Sequence, residues 1–583
     1  MRKRGKLTYH RYRTAMSNPA TTLASIGVRT GRWIALVGPE VEENLSLRYL
    51  AASLAGAGYR AEILSFNGER DFSRIVAVIL GESAPFLVGL SLAFQHRAQD
   101  FLALAMALRE RGYRGHLTAG GHFATFEAEA LLRNFPEFDS ICRFEAERTI
   151  VDLARTIETN GSLDEVAGLA LHRGDEVVFT APRPQPELDQ LPRPDRRGEP
   201  ARCFGHAIMP LVGSRGCYGH CSFCCIAAWH EAGGNLRRFR LRDVDDIADE
   251  MAEQHRLRGI EIFNFQDDNF FLPRPEASLE RIHGLADALA DRGVQRFATV
   301  IKARPNDVEP KVFATLVGRL HCLRAFVGLE TNAPAGLVTL GRGVSVAHNR
   351  RALDVVSDLG LYIAFNLLIF DPDTRLADIT RNVAFMRSVA DYPFCIGRVE
   401  LLAGTPVLAR MLEEGRCRGD FLRRDYRLAS PEVERAFHLF LRCMAARNSG
   451  DDSPVVRLWL LRFDIEAARF FHPGVYRDEW REHAVAVTRR LSLDTAEVLE
   501  IIVNHCAAPE SASDDGLLGV ELERRCRRRD VQTAAAAQAI AEEMSEAVGR
   551  PASLCEVRRV YENPIALRAP SGLDLTRSES EPA

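Results

Sequence analysis

Between Trp33 and Leu402 the chain repeatedly trades a short apolar run for an amphipathic helix, and no other feature restricts its possible folds so tightly. The first series pairs Trp33–Val37 with Asn44–Gly58, Ala61–Leu64 with Phe72–Leu80, Leu87–Ser91 with Ala98–Gly112, His116–Ala119 with Ala124–Asn134, and Ser140–Phe144 with Glu147–Ile157. A strand followed by a helix meets the next strand in parallel rather than through a hairpin. These units therefore predict a doubly wound parallel sheet with helices on both faces. The second series runs through strands Met209–Val212, Ile260–Phe265, Phe297–Ile301, Ala325–Leu329, Tyr362–Phe370 and Gly397–Leu402. Helices Val244–Arg256, Ser278–Asp291, Lys311–Gly318, Val346–Gly360 and Arg375–Val389 alternate with them. Six such units predict an open (β/α)6 barrel, whose chemistry belongs at the C-terminal rim of its strands.

A chain of 583 residues is too long for these two cores alone. Leu169–His172 and Glu176–Thr180 around Arg173-Gly-Asp predict a hairpin, after which Pro182, Pro184, Pro186, Pro192, Pro194 and Pro200 stiffen a linker. After about Arg410 the strands are expected to stop, leaving helices Pro431–Arg447, Val455–Phe471, Tyr476–Leu491, Asp494–His505 and Val531–Val548. The expected organisation is a basic flexible arm (1–29), a first α/β domain (30–160), a hairpin and Pro-rich linker (161–204), the barrel (205–410), a helical C-terminal domain (411–570) and a disordered tail (571–583). A formal charge of −4 gives no global attraction to nucleic acid. The N-terminus lacks the apolar run of a secretory signal and no stretch has the length of a membrane span. Thirteen cysteines without paired spacings fit a reducing, cytoplasmic setting.

One loop carries the chemistry. Gly213-Ser-Arg-Gly-Cys217-Tyr-Gly-His-Cys221-Ser-Phe-Cys224 follows the first barrel strand, at the catalytic rim, and brings three thiols onto a Gly-rich turn. Closed zinc and iron–sulfur sites take four protein ligands, so three thiolates would leave one iron of a 4Fe-4S cube open to a substrate or cofactor. Cys225 falls outside the spacing and is read as a non-ligand. With Phe223 before the third cysteine, the pattern resembles the radical S-adenosylmethionine (radical SAM) family, in which the open iron is chelated by the methionine end of S-adenosyl-L-methionine.

That resemblance implies cofactor contacts at the other strand ends. Asp268, in Gln266-Asp-Asp-Asn269, would accept from the ammonium group of S-adenosylmethionine. Arg304 would pair with its carboxylate, and Glu330 would bind the ribose hydroxyls or the methionine end. The family's usual Gly-Gly-Glu after the second strand is absent. Asp371-Pro-Asp373-Thr374 and Gly404-Thr-Pro406 look like family features shaping the adenosine and substrate side.

The first α/β domain resembles cobalamin-binding domains. Ligands of such sheets lie beyond the carboxyl ends of the strands, where this chain has Ser91 and the Gly120-Gly121 pair. In the family a small hydroxyl and two glycines let a nucleotide tail slide between sheet and helix. Ala93 stands where that family usually has Leu, and its Asp-x-His-x-x-Gly element falls here on Asn44-Leu-Ser46-Leu-Arg-Tyr49, without a histidine. The expectation is cobalamin bound with no protein imidazole below cobalt. The rival is a flavodoxin/Rossmann-like fold serving as a docking wall.

Together these features resemble the cobalamin-dependent radical SAM enzymes. The resemblance implies a 4Fe-4S cluster, S-adenosyl-L-methionine and cobalamin as cofactors, an external electron donor of flavodoxin or ferredoxin type, and a small-molecule or peptide substrate. The expected activity is methyl transfer to an unactivated carbon. The alternatives are a non-methylating rearrangement, cyclisation or oxidation, or a non-catalytic corrinoid or SAM sensor. The densest basic run, Arg524-Arg-Cys-Arg-Arg-Arg529, needs no function beyond a solvated helix face.

Overall fold

The computed structural model describes residues 32–233, 237–450, 453–508 and 513–556. The expected basic arm 1–29 and tail 571–583 lie outside these residues. Strands β1 (Ile34–Gly38), β2 (Ala61–Ser65), β3 (Leu87–Ser91), β4 (His116–Gly120) and β5 (Ser140–Cys142) form the parallel part of the first sheet. The predicted hairpin, β6 (Leu169–Arg173) and β7 (Glu176–Phe179), continues this sheet antiparallel, giving the order β2-β1-β3-β4-β5-β6-β7. It is therefore an edge of the first sheet and not part of the linker. Leu169, Ala170 and Leu171 are buried, which ties the hairpin to the core.

The second sheet has the order β16-β15-β14-β13-β12-β9-β8. Its parallel strands are β9 (His206–Leu211), β12 (Ile260–Phe265), β13 (Ala298–Ala303), β14 (Cys322–Val327), β15 (Tyr362–Phe370) and β16 (Phe394–Arg398), and β8 (Ala201–Cys203) is an antiparallel edge. It curls as an open half-barrel. One face packs on helices Val244–Arg258, Pro275–Asp291, Pro310–Leu320 and Leu376–Ser388 through residues such as Phe263, Phe265 and Ile301. The hollow face, through Ile262, Val300 and Tyr362, packs on helix Pro454–Phe471. The C-terminal region thus plugs the half-barrel from one side. A small ribbon, β10 (Ser214–Gly216) with β11 (Phe239–Leu241), flanks the cysteine loop.

Strands do not stop after Arg410: β17 (Cys417–Asp420) and β18 (Arg423–Tyr426) make a further hairpin. Its sequence is polar and arginine-rich, so hydrophobic alternation does not reveal it. The expected helices Tyr476–Leu491 and Asp494–His505 are one helix, Asp478–Cys506. The polar step at Ser492-Leu-Asp494 reads as a break, yet Thr495 Oγ1 donates to Leu491 O at 2.9 Å and Asp494 accepts from buried Arg447 at 2.9 Å. These partners let a polar stretch stay helical. The last long helix, Asp515–Val548, begins earlier than expected and contains Arg524–Arg529.

The two sheets are joined by charge as well as by chain. Arg196, from the Pro-rich stretch, bridges Glu43 of the first domain to Glu250 of helix Val244–Arg258, the latter at 2.7 Å. Arg258 also reaches Glu43 at 2.9 Å, and Arg242 reaches Glu250 at 2.8 Å. All three partners of the bridge are nearly sealed from solvent.

Candidate active site

The cysteine loop is held from three directions. Ser222 donates through its N–H to Leu340 O at 2.9 Å and through its hydroxyl to Thr339 O at 2.7 Å, and its carbonyl accepts from Val407 N at 3.0 Å. Asp267, buried behind the loop, accepts from Gly213 N at 2.7 Å and Ser214 Oγ at 2.8 Å, and burial pushes its carboxyl up to about 6. Arg215, two residues before Cys217, ion-pairs with Glu147 at 2.7 Å and Glu145 at 3.2 Å in the first domain, and its guanidinium covers the Tyr49 ring at 4.9 Å. Arg240 pairs with the same Glu145.

Cys217, Cys221 and Cys224 are free thiols, with Cys221 buried and the other two half-buried. Cys221 Sγ accepts from Arg304 Nη1 at 3.3 Å and from Arg342 Nη1 at 3.2 Å, and Cys217 Sγ accepts from Gly219 N at 3.3 Å. Two guanidiniums aimed at one sulfur suit a thiolate. Among the described residues no three His, Cys, Asp or Glu donors converge on a point that a single metal ion would occupy. Three free thiols on one loop are the donor set that three corners of a 4Fe-4S cube would take.

The structure brings the other expected residues around this loop. Asp268 Oδ2 accepts from Gly216 N at 2.9 Å while the residue stays exposed to the cleft between the sheets. Glu330 adopts φ 61°, a left-handed conformation costing about 1–3 kcal/mol for a non-glycine residue, which is typical of functional positions. Its carbonyl accepts from Leu368 N at 2.5 Å, and its carboxylate lies 3.9 Å from Arg342. Burial raises its pKa, against the pull of Arg342 and Arg304. Arg304 is turned onto the cysteine loop: besides Cys221 it donates to Arg342 O and, at 3.3 Å, to Asn306 Oδ1. Arg342 was not foreseen. It sits in a Gly-flanked turn with no strand or helix pattern to mark it.

Between the first domain and the segments that flank the cysteine loop lies a cleft of about 250 Å³. Its first-domain wall includes Ser91, Gly120 and Gly121 at the ends of β3 and β4, and its barrel wall includes Val212, Trp229 and Asp268. Gly121 has φ 106° and ψ 177°, a region open only to glycine, and a Cβ there would meet Ala93 Cα at 2.8 Å. The segment Asn44–Tyr49 brings Ser46 and Tyr49 to the cleft and no imidazole. Two histidines reach it from elsewhere: His230, on the helix after the cysteine loop, and His122, after the Gly-Gly pair, whose ring is 4.2 Å from that of Trp229. Burial lowers the His122 pKa, against the pull of Asp268, which favours the neutral ring. The cleft lies beyond the carboxyl ends of β3 and β4, where parallel sheets of this kind take their ligands.

The B12 binding domain family matches residues 31–154. The hopanoid C-3 methylase of Methylococcus capsulatus is 28% identical over 344 residues, 57% of this chain and 61% of that protein. The anaerobic magnesium-protoporphyrin IX monomethyl ester cyclase of a Synechocystis species is 26% identical over 262 residues, 43% of this chain and 49% of that protein. The chain thus spans about half to three fifths of the length of these two curated relatives. Among solved structures, the cobalamin-dependent S-adenosylmethionine radical enzyme OxsB with aqua-cobalamin bound superposes with a TM-score of 0.63 at 17% identity, over 92% of this chain and 85% of that one. The chain carries a B12 binding domain and shares its overall fold with a cobalamin-dependent radical SAM enzyme. Its relatives thus include both a methylase and a cyclase. No helix among the described residues is long and apolar enough to cross a membrane.

Proposed function

We propose that the protein uses a 4Fe-4S cluster, S-adenosyl-L-methionine and cobalamin to methylate an unactivated carbon of a small-molecule or peptide substrate, with an external flavodoxin or ferredoxin type of protein supplying electrons. The observation that carries this reading is that the residues flanking the cysteine loop, Arg215 before it and Ile226 and Trp229 after it, line the same cleft as Ser91 and Gly121. When bound, these cofactors supply reductive cleavage of a sulfonium, hydrogen abstraction and a transferable methyl group.

The residues of the chain then have separable tasks. Cys217, Cys221 and Cys224 hold the cluster, and Arg304 and Arg342 direct N–H groups at Cys221 to stabilise its thiolate. Asp268 and Glu330 stand on either side of the loop as acceptors for the ammonium and hydroxyl groups of S-adenosylmethionine. Ser91, Gly120 and Gly121, at the ends of β3 and β4, admit the tail of cobalamin between the sheet and its covering helix. Trp229 and the ion pairs of Arg215 close the space from water, which keeps a radical from side reactions.

The test is anaerobic reconstitution with iron, sulfide and cobalamin, then dithionite and S-adenosylmethionine carrying a labelled methyl group. The expected results are 5′-deoxyadenosine formation, its loss in Cys217→Ala, Cys221→Ala and Cys224→Ala, and label in the product. Deoxyadenosine without methyl transfer refutes methylation and favours the ring-closing reading suggested by the cyclase relative. Absence of both products refutes the enzyme reading altogether.

A further inference from the structure

Of 75 basic residues only Lys3, Lys6, Lys302 and Lys311 are lysine. A chain that uses arginine almost wherever it needs a cation has a lysine at one interior position, Lys302 on β13. Alternation along this strand fixes its direction. Ala298 and Val300 share the core with helix Pro454–Phe471, and Ile301 and Ala303 share the opposite core, so Lys302 points into the hollow of the half-barrel. Lys302, Gln266 and its register partner Phe326 stay half-buried although their strands are central, so the hollow is open at their level.

The ammonium is under-served. Lys302 Nζ donates to Gln266 Oε1 at 3.1 Å. Asp267, Asp268 and Glu42 act on it electrostatically, yet among the described residues no carboxylate lies within ion-pair distance. Burial pulls its pKa down, against these three acids. Across the hollow, on β15, buried Asn366 has an Oδ1 without a partner. A partly desolvated cation with donors to spare is better stabilised once an anion arrives. A compact ammonium with rotatable donors suits a small oxyanion at close range, where the planar fork of arginine would not fit the same space.

We propose that Lys302 determines specificity by binding an oxyanion group of the substrate, a phosphate or a carboxylate, inside the half-barrel hollow, so that the reacting carbon is presented at the rim between the cysteine loop and the cobalamin cleft. This rests on the function proposed above and adds the chemical class of its substrate. Acylation of the reconstituted holoenzyme with acetic anhydride, read at each lysine by peptide mass spectrometry, tests it, with exposed Lys311 as the internal reference. Inorganic phosphate or acetate, at about ten times its half-protecting concentration, is expected to slow modification of Lys302 about tenfold relative to Lys311. Protection by phosphate alone identifies a phosphorylated substrate, and protection by acetate alone a carboxylated one. Overturning results are equal effects on both lysines, no protection by either anion, or equal protection by S-adenosylmethionine, which would assign Lys302 to that cofactor. A failure of deoxyadenosine formation would refute the proposed function while leaving the protection pattern readable.

Discussion

Replacing Gly121 by alanine separates two costs that the structure places on one residue. The backbone at φ 106° and ψ 177° lies where side chains other than glycine's are penalised by about 1–3 kcal/mol. The new methyl would also meet three backbone atoms of Leu92 and Ala93 at 2.8–3.0 Å, and overpacking of this kind costs about 1–3 kcal/mol more. Gly112 is the control, because it has φ +94° but open space around its Cβ position, so Gly112→Ala should cost only about 1 kcal/mol. Taking about 4 kcal/mol for Gly121→Ala, a domain of this size should melt roughly 8–16 °C lower, against about 2–4 °C for Gly112→Ala. Where the loops after β3 and β4 relax by moving into the cleft, half of that cost appears as weaker cobalamin binding, about thirtyfold. Thermal melts by circular dichroism and a titration with aquacobalamin followed in the visible spectrum read both effects. If Gly121→Ala binds cobalamin within twofold of the parent protein and melts no lower than Gly112→Ala, the glycine does not shape the cleft and the reasoning fails.

Other perturbations address the loop and the interface. Arg342→Met removes a charge-assisted donor from Cys221, worth about 1.5–3 kcal/mol, so the midpoint potential of the reconstituted cluster should fall by on the order of 60 mV in a redox titration followed by paramagnetic resonance; no change, or a rise, contradicts the contact. Asp267, held at about 6 against about 4 in the unfolded chain, retains a proton in the fold that the unfolded state gives up, so its contribution is present at low pH and lost as pH rises from about 4 through 6. Asp267→Asn should therefore reduce the loss of melting temperature between pH 5 and 7, and an unaltered pH profile counts against it. Arg196→Met leaves two buried carboxylates short of a partner and should cost about 3 kcal/mol in urea unfolding, softened because Arg258 and Arg242 remain; a midpoint equal to that of the parent protein would make the bridge incidental.

How much of this was legible beforehand depends on the range of the interaction. Most parallel strands of both sheets follow from apolar runs of local period, and the cysteine loop from a twelve-residue pattern, because each is written in contiguous residues; the short edge strand β8 falls in the stretch read as linker, and the last strand lies at Phe394–Arg398 and not at Gly397–Leu402. The hairpin of β17 and β18 was invisible because its residues are mostly charged, and the continuity of Asp478–Cys506 was hidden by polar residues whose partners lie elsewhere in the chain. The arginine contacts were out of reach for a different reason. Arg342 and Cys221 are 121 positions apart, and Arg196 and Glu43 are 153 apart. Nothing local distinguishes those arginines from the dozens that only face water. Lys302 is the opposite case, since its rarity stands in the sequence but its orientation comes only from the alternation of β13.

The junction carried by Arg196, Arg215 and Arg240 has a consequence for anyone who would recombine such proteins. Of its acidic halves, Glu43, Glu145 and Glu147 are borne by the first domain and Glu250 by the barrel, while its basic halves belong to the barrel and the segment leading into it. A chimera that exchanges one module without the matching halves would bury unpaired carboxylates at the seam, so the two are expected to be transplantable only as a set.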